Sequence, residues 1–271
     1  MVSYVHRFFM KLILSYAFGM LIMLSCARAP RDNFALLFSG QLAIVDLTHP
    51  LSSGSPYWPS KDGSPFKYDT LFAQPSGSPG MGRFATPEHF GTHLDAPIHS
   101  ADHQLSVDQL EPSNLLGPAA VINVESKCTA DADYLLTVQD IRDWEKVHGD
   151  VPERAIVFMF TGWGRKWEDY NAYKNQDASG KMHFPGFSSE AAQFLINERS
   201  ILGIGIDDFS VDAGSASGFP VHGIVNGAGK FHLESVAALH DLPPIGAYVI
   251  AAPIKIEGGS GGPVRIFAIL P

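Results

Sequence analysis

One domain of mixed α/β type, loop-rich around a single site, is the architecture to expect from these 271 residues. Six short apolar runs, each bounded by Gly, Pro or Asp, have the length and punctuation of buried strands. Two stretches of helical periodicity open on N-capping residues. No linker, internal repeat or heptad run divides what lies between them. A hydrophobic fraction of 45% is enough to fill a core and argues against a disordered chain.

At the N-terminus, Arg7 and Lys11 precede an apolar run from Leu12 to Leu24. The small residues Ser25, Cys26 and Ala27 follow, with Arg28 and Arg31 beyond. Residues 1–29 therefore read as a secretory signal or an N-terminal anchor, since the run is shorter than the ~20 residues of a comfortable membrane span. That predicts an extracytoplasmic protein, secreted or periplasmic, anchored if the segment is retained. The folded domain is expected to occupy residues 42–271. Its strands are predicted at 42–46, 119–124, 155–160, 201–206, 248–256 and 264–269. Between them, Thr137 caps a helix with Asp140 at its third position and Val138, Ile141, Trp144 and Val147 on one face. Ser188 opens a second helix, with Glu190 in its first turn and Ala191, Ala192, Phe194 and Leu195 buried. From Leu51 to Pro97 seven prolines forbid a long helix and predict loops wrapped around a site.

Composition narrows the chemistry. Nineteen basic against 28 acidic residues give a net charge of −9, which offers no footprint for nucleic acid. Two cysteines, Cys26 and Cys128, exclude a disulfide scaffold and a cysteine-rich zinc module. The informative segment is Glu88-His89-Phe90-Gly91-Thr92-His93-Leu94-Asp95-Ala96-Pro97-Ile98-His99. His93 and Asp95, two apart, share one side of an extended chain. His89 lies four residues before His93, where either a helical turn or a bend at Gly91 would serve. Pro97 turns the chain so that His99 can return to the cluster. A single loop histidine is usually only that. Three with an aspartate, in a chain without structural cysteines, make a donor set suited to Zn²⁺ or Mn²⁺.

The segment His89-x-Gly91-Thr92-His93-x-Asp95-x-Pro97-x-His99 resembles the signature of the cyclase-type metal-dependent hydrolases, a family that includes bacterial kynurenine formamidases and isatin hydrolases. Further matching stretches are Ile44–Pro50 with Trp58-Pro59, Thr161-Gly162-Trp163, Gly205-Ile206-Asp207 with Ser210 and Asp212, and Pro253–Arg265. The resemblance thus covers about residues 42–271. It implies a mixed-sheet domain of the swivelling β/β/α type, one or two divalent ions per chain, and a homodimer or larger assembly. Carried over residue by residue, it implies that His89, His93 and Asp95 hold one metal. Asp95, His99, His222 and Glu234 complete a second site or surround the reacting water; spacing alone says little about His222 and Glu234. Glu234-Ser235-Val236 departs from the family's usual Glu-Asn-Leu, and His232 has no assigned role.

The function implied is hydrolysis of an N-formyl or cyclic amide of a small aromatic compound, such as N-formylkynurenine or isatin, by metal-activated water. His99, with an unperturbed pKa near 6.5, is the proton carrier. Among Trp58, Phe84, Phe90, Trp163 and Phe219, which either pack in the core or sandwich substrate, Trp58 and Phe219 are assigned to substrate because prolines and glycines flank them. Asp207, Ser210 and Asp212 either orient ligands or cap a turn. Alternatives to the amide reading are a same-fold enzyme acting on a lactone or in a dehydration, and a non-catalytic ligand-binding protein. Gly258-Gly259-Ser260-Gly261-Gly262 matches the bare pattern of a serine-hydrolase elbow, but a strand follows where a helix is required and no acid and histidine lie downstream. Gly203-x-Gly205 lacks the third glycine of a dinucleotide fingerprint.

Overall fold

Seven strands close on themselves in the computed structural model, which describes residues 33–59, 61, 63–72 and 79–271. The chain divides into two units, Met1–Leu42 and Ala43–Pro271. The expected signal or anchor at residues 1–29 lies outside the described residues. What is described of the first unit is the helix Asn33–Phe38 with the turn after it. Among the described residues, no helix is long and apolar enough to cross a membrane.

The second unit carries strands β1 (Ile44–Asp46), β2 (Lys67–Phe72), β3 (Met81–Ala85), β4 (His93–Asp95), β5 (Leu116–Asn123) and β6 (Leu135–Leu136). They are followed by β7 (Ile156–Phe160), β8 (Gly186–Phe187), β9 (Gly203–Ile206), β10 (Phe231–Glu234), β11 (Ile245–Pro253) and β12 (Gly261–Ile269). The closed sheet runs β12-β11-β5-β7-β9-β10-β4 and returns to β12. One edge of β12 is long enough to serve two partners: Gly261–Pro263 pairs with β4, and Phe267–Ile269 with β1. The run β5-β7-β9-β10 is parallel, so each step needs a crossover, and the helices α1 (Val138–His148), α2 (Ser189–Arg199) and α3 (Pro220–Gly227) lie on those crossovers.

Alternation along the parallel strands sorts two cores. Ala119, Val121, Ile156, Phe158 and Phe160 point into the closed sheet with Leu94, Leu233, Val249 and Ile266. Ala120, Ile122, Val157 and Met159 point outward against Ile141, Trp144 and Leu195 of the helices. Burial on both faces is why these strands read as continuous apolar runs. The glycines of β9 face the interior for a steric reason. A Cβ on Gly205 would lie 2.7 Å from the Phe158 ring, and one on Gly203 would lie 2.5 Å from the Phe231 carbonyl oxygen.

The structure shifts the bounds of all six predicted strands; β11 starts three residues before residue 248, and β12 three before residue 264. The Leu51–Pro97 stretch contains no α-helix among its described residues, but it does contain the antiparallel ribbon β2–β3, which its prolines and glycines masked. Thr137 caps α1 as expected and Ser188 caps α2. Val147, expected on the buried face, is 75% exposed, in the last turn of α1 beside its C-cap Gly149.

Asp140 is the most heavily used carboxylate of α1. It accepts from the Thr137 backbone N–H (2.8 Å), the Thr137 hydroxyl (2.7 Å), the Tyr134 hydroxyl (2.7 Å) and the Lys127 ammonium. Burial alone would raise its pKa, but the hydrogen bonds from Lys127, Thr137 and Tyr134 hold it below the ordinary value. Asp140→Ala is expected to lower stability by about 2–3 kcal/mol, the sum of a lost cap and a charged hydrogen bond. A depressed carboxylate stabilises above its unfolded pKa of about 3.9 and loses that contribution as pH falls through its folded value. Urea unfolding at pH 7 and at pH 3 checks both points: the wild-type advantage over the variant should shrink at the lower pH.

Candidate metal centre

Antiparallel pairing of two very short strands builds the site. β4 and β10 align Asp95 with His232, Leu94 with Leu233, and His93 with Glu234. The two leucines enter the closed sheet, so His93, Asp95, His232 and Glu234 share its outer face. Helix α3 lies over that face and contributes His222, and the single turn Pro97–His99 returns His99 to it. His93, Asp95, His222, His232 and Glu234 are all at most 5% exposed.

Asp95 is the hub. Its Oδ1 lies 2.5 Å from His89 Nδ1 and 3.2 Å from His93 Nε2. Its Oδ2 lies 2.7 Å from His232 Nε2, 3.5 Å from His222 Nε2 and 3.7 Å from His99 Nε2. Glu234 faces the same space, 3.4 Å from His93 Nε2 and 3.5 Å from His222 Nε2. All six residues assigned to the metal from the sequence therefore converge, although His222 and Glu234 are more than a hundred residues from the histidine segment.

Neighbouring groups fix which nitrogens face the centre. His93 Nδ1 donates to the Gly91 carbonyl at 2.9 Å, leaving Nε2 to face the carboxylates. Gly91 has a left-handed φ of 66°, and a Cβ there would also lie 2.5 Å from Leu51, so glycine is required for this bend. His222 Nδ1 donates to Asp212 Oδ2 at 2.7 Å. The same carboxylate accepts the Val221 and His222 backbone N–H groups at the start of α3. Of the three residues weighed for orientation, Asp212 thus holds a histidine of the centre. Asp207 instead accepts from Thr161, and Ser210 accepts the Asp212 N–H.

Burial would raise the Asp95 pKa, yet the surrounding His232, His93 and His222 hold it well below the carboxylate range. Burial would lower His222, yet Asp212, Asp95 and Glu234 push it up to about 10. Two buried carboxylates among imidazoles thus call for positive charge between them. His232 Nε2 adds an orphan: it is fully buried and, although near Asp95 Oδ2, lies off the hydrogen-bonding direction and has no partner. Nitrogen and oxygen donors converging in this way, with one unsatisfied, fit a divalent cation.

The centre forms the floor of a cavity of about 280 Å³, walled by Trp58, Phe90, Phe209 and Phe219. Trp58 lies 6.2 Å from Phe209 and 6.0 Å from Phe219 between ring centroids. The cavity thus brings together Trp58 and Phe219, the two aromatics assigned to substrate. Phe84 instead lies exposed on β3, and Trp163 is buried with its indole N–H donated to the Tyr173 carbonyl. Sequence reasoning missed Phe209 and gave His232 no role. The signal for His232 was present, since it stands two residues before Glu234 as His93 stands two before Asp95.

Comparison with known proteins yields one family match, the Cyclase family model, over residues 45–213. The isatin hydrolase of Roseibium aggregatum is 34% identical over 252 residues, covering 88% of this chain and 95% of that protein. A kynurenine formamidase of Geobacillus thermodenitrificans is 28% identical, covering 82% and 94%. Among solved structures, an isatin hydrolase bound to the product analogue thioisatinate superposes with a TM-score of 0.81 at 33% identity, covering 88% of this chain and 95% of that one.

Proposed function

The chain belongs to the cyclase family of metal-dependent hydrolases, and from that premise we propose that it opens the cyclic amide of isatin or a closely related small aromatic, with N-formylkynurenine as the second candidate substrate. The observation that carries this reading is the placement of the Asp95–Glu234 centre and its imidazoles at the floor of an aromatic-walled cavity. The greater similarity to isatin hydrolases puts the cyclic amide first.

His89, His93, Asp95, His222, His232 and Glu234 would hold one or two ions, and their donor set suits Zn²⁺ and Mn²⁺ alike. Such an ion polarises an amide carbonyl and lowers the pKa of water from about 15.7 towards 7. The protein does the rest. Trp58, Phe209 and Phe219 grip a flat ring, each aromatic pair adding about 0.5–1.5 kcal/mol beyond its buried area. His99, at the cavity edge, takes the proton of the attacking water and returns it to the departing nitrogen. Burial pushes its imidazole down to about 4 against the opposing pull of Asp95, so it is neutral and able to accept at pH 7.

Three further assignments complete this reading. The closed sheet and its helices are taken as the swivelling β/β/α type. The basic, apolar and small-residue pattern of residues 1–29 supports an extracytoplasmic location. The ribbon β2–β3 exposes Tyr68, Leu71, Phe72 and Met81, which supports a homodimer or larger assembly, because an isolated ribbon is marginal in water.

The test is a chromatographic assay of ring-opened product from isatin, and of kynurenine from N-formylkynurenine, on protein of measured metal content. Isatin should be converted, chelation should abolish the conversion, and added Mn²⁺ or Zn²⁺ should restore it. Metal-loaded protein that converts neither amide would refute the amide assignment.

A further inference from the structure

The glycine-rich run Gly258–Gly262 has no part in the mechanism above, yet it ends against the centre. β12 begins at Gly261, which pairs with Asp95, so Ser260 arrives beside the histidine segment. The Ser260 backbone is tied down independently of its side chain: its carbonyl accepts the Ala96 N–H at 2.9 Å, and its N–H donates to Glu88 Oε2 at 3.1 Å. The Ser260 hydroxyl donates to the same Glu88 oxygen at 2.5 Å and lies 2.8 Å from His89 Nε2.

Counting protons fixes the direction of this chain. A carboxylate only accepts, so the single hydroxyl hydrogen of Ser260 goes to Glu88 and the oxygen turns a lone pair to His89. His89 Nε2 must then be the donor. The nitrogen left facing Asp95 Oδ1, at 2.5 Å, is Nδ1; once Nε2 carries the ring hydrogen both atoms of that contact are acceptors, so a second proton or the cation must lie between them. His93 and His222 are arranged the opposite way, pinned at Nδ1 and turned inward through Nε2.

The flanking glycines are shaped to this arrangement. A Cβ on Gly261 would lie 2.7 Å from His89 Cε1 and 2.4 Å from the Leu94 carbonyl oxygen. A Cβ on Gly259 would lie 2.9 Å from Glu88 Oε1. Both glycines therefore let Glu88 and His89 lie flat against the segment that carries Ser260. His89 needs such a hold, because its side chain is 26% exposed while those of His93 and His222 are 7% and 6%.

We propose that Ser260, locked by Glu88, is a positioning residue that makes His89 meet the cation through Nδ1. The inference rests on the metal-hydrolase reading. A group that orients a ligand in this way is worth about 10–100-fold in metal affinity.

The experiment uses the full chain, as wild type, Ser260→Ala and Ser260→Thr, with Zn²⁺ affinity measured by competition with a chromophoric chelator. The nitrogen NMR signals of labelled histidine are recorded on the zinc-loaded proteins. Expected are a 10–100-fold weaker affinity for Ser260→Ala, recovery in Ser260→Thr, and a wild-type His89 ring that is protonated at Nε2 and metal-bound at Nδ1. Wild-type affinity in Ser260→Ala, or His89 bound through Nε2, would overturn the inference while leaving the hydrolase reading intact. A wild-type chain that takes up no Zn²⁺ or Mn²⁺ would overturn both.

Discussion

Asp95→Ala should give a folded protein that retains no stoichiometric metal and has lost turnover by more than the ~10²–10⁴-fold of a missing acid–base group. The size follows from position. Asp95 Oδ1 faces His89 and His93, while Oδ2 faces His99, His222 and His232, so every imidazole of the centre is arranged around this one carboxylate. Without it, Glu234 is the carboxylate that still faces the inward nitrogens of His93 and His222, Asp212 being turned to the far nitrogen of His222, and one negative charge there does little to offset the dehydration of a dication. The fold should survive, since β4 is held by backbone pairing to both β10 and β12 and its Leu94 stays in the core. Two measurements separate metal loss from misfolding. Metal content per chain should fall from wild-type stoichiometry to background. Added cation should raise the wild-type unfolding temperature, a ligand at 100 times its Kd contributing about 2.7 kcal/mol, and should leave the variant unmoved. A variant that kept both its metal and its thermal response would show that the cation is held elsewhere.

The elements legible in the sequence are those whose signal is local. β5 and β7 were visible because burial on both faces makes them continuously apolar, and α1 and α2 because their caps and periodicity fall within a few residues. Half of the centre was legible for the same reason: His93 and Asp95 declare a shared face by their spacing, and Gly91 supplies the bend. The other half was not. β4 and β10 have three and four residues and carry the ligands themselves, so their polar character hides them as strands. Their register, which sets His232 against Asp95 and Glu234 against His93, is created by a crossover through α3 that no spacing rule encodes. His222 and Glu234 were accordingly reachable through family resemblance alone. Ser260 shows the converse. Its glycines matched the pattern of a catalytic serine, whereas their use is to admit two neighbouring side chains.

His99→Ala should separate chemistry from metal binding. His99 stands apart from His93, His222 and His232: it comes from the single turn begun by Pro97, its side chain is 29% exposed where theirs are at most 7%, and its Nε2 is 3.7 Å from Asp95 Oδ2. Its ring lies 3.9 Å from that of His89 and 5.6 Å from that of His222, and it lines the cavity with them. If Trp58 and Phe219 hold the ring as proposed, His99 shares the cavity with both the ring and the centre. Amide nitrogen is a poor leaving group until it is protonated, so the step that suffers without His99 is breakdown of the tetrahedral adduct, after binding is complete. The variant should therefore keep its metal and its KM within about twofold, and lose kcat by about 10²–10⁴-fold. A rise in KM with kcat preserved would make His99 a wall of the cavity. Loss of metal together with kcat would make it a ligand, the other role its family resemblance allows. Its distance from Asp95, longer than those of His89, His93, His222 and His232, and its greater exposure than the buried ligand histidines favour the proton carrier.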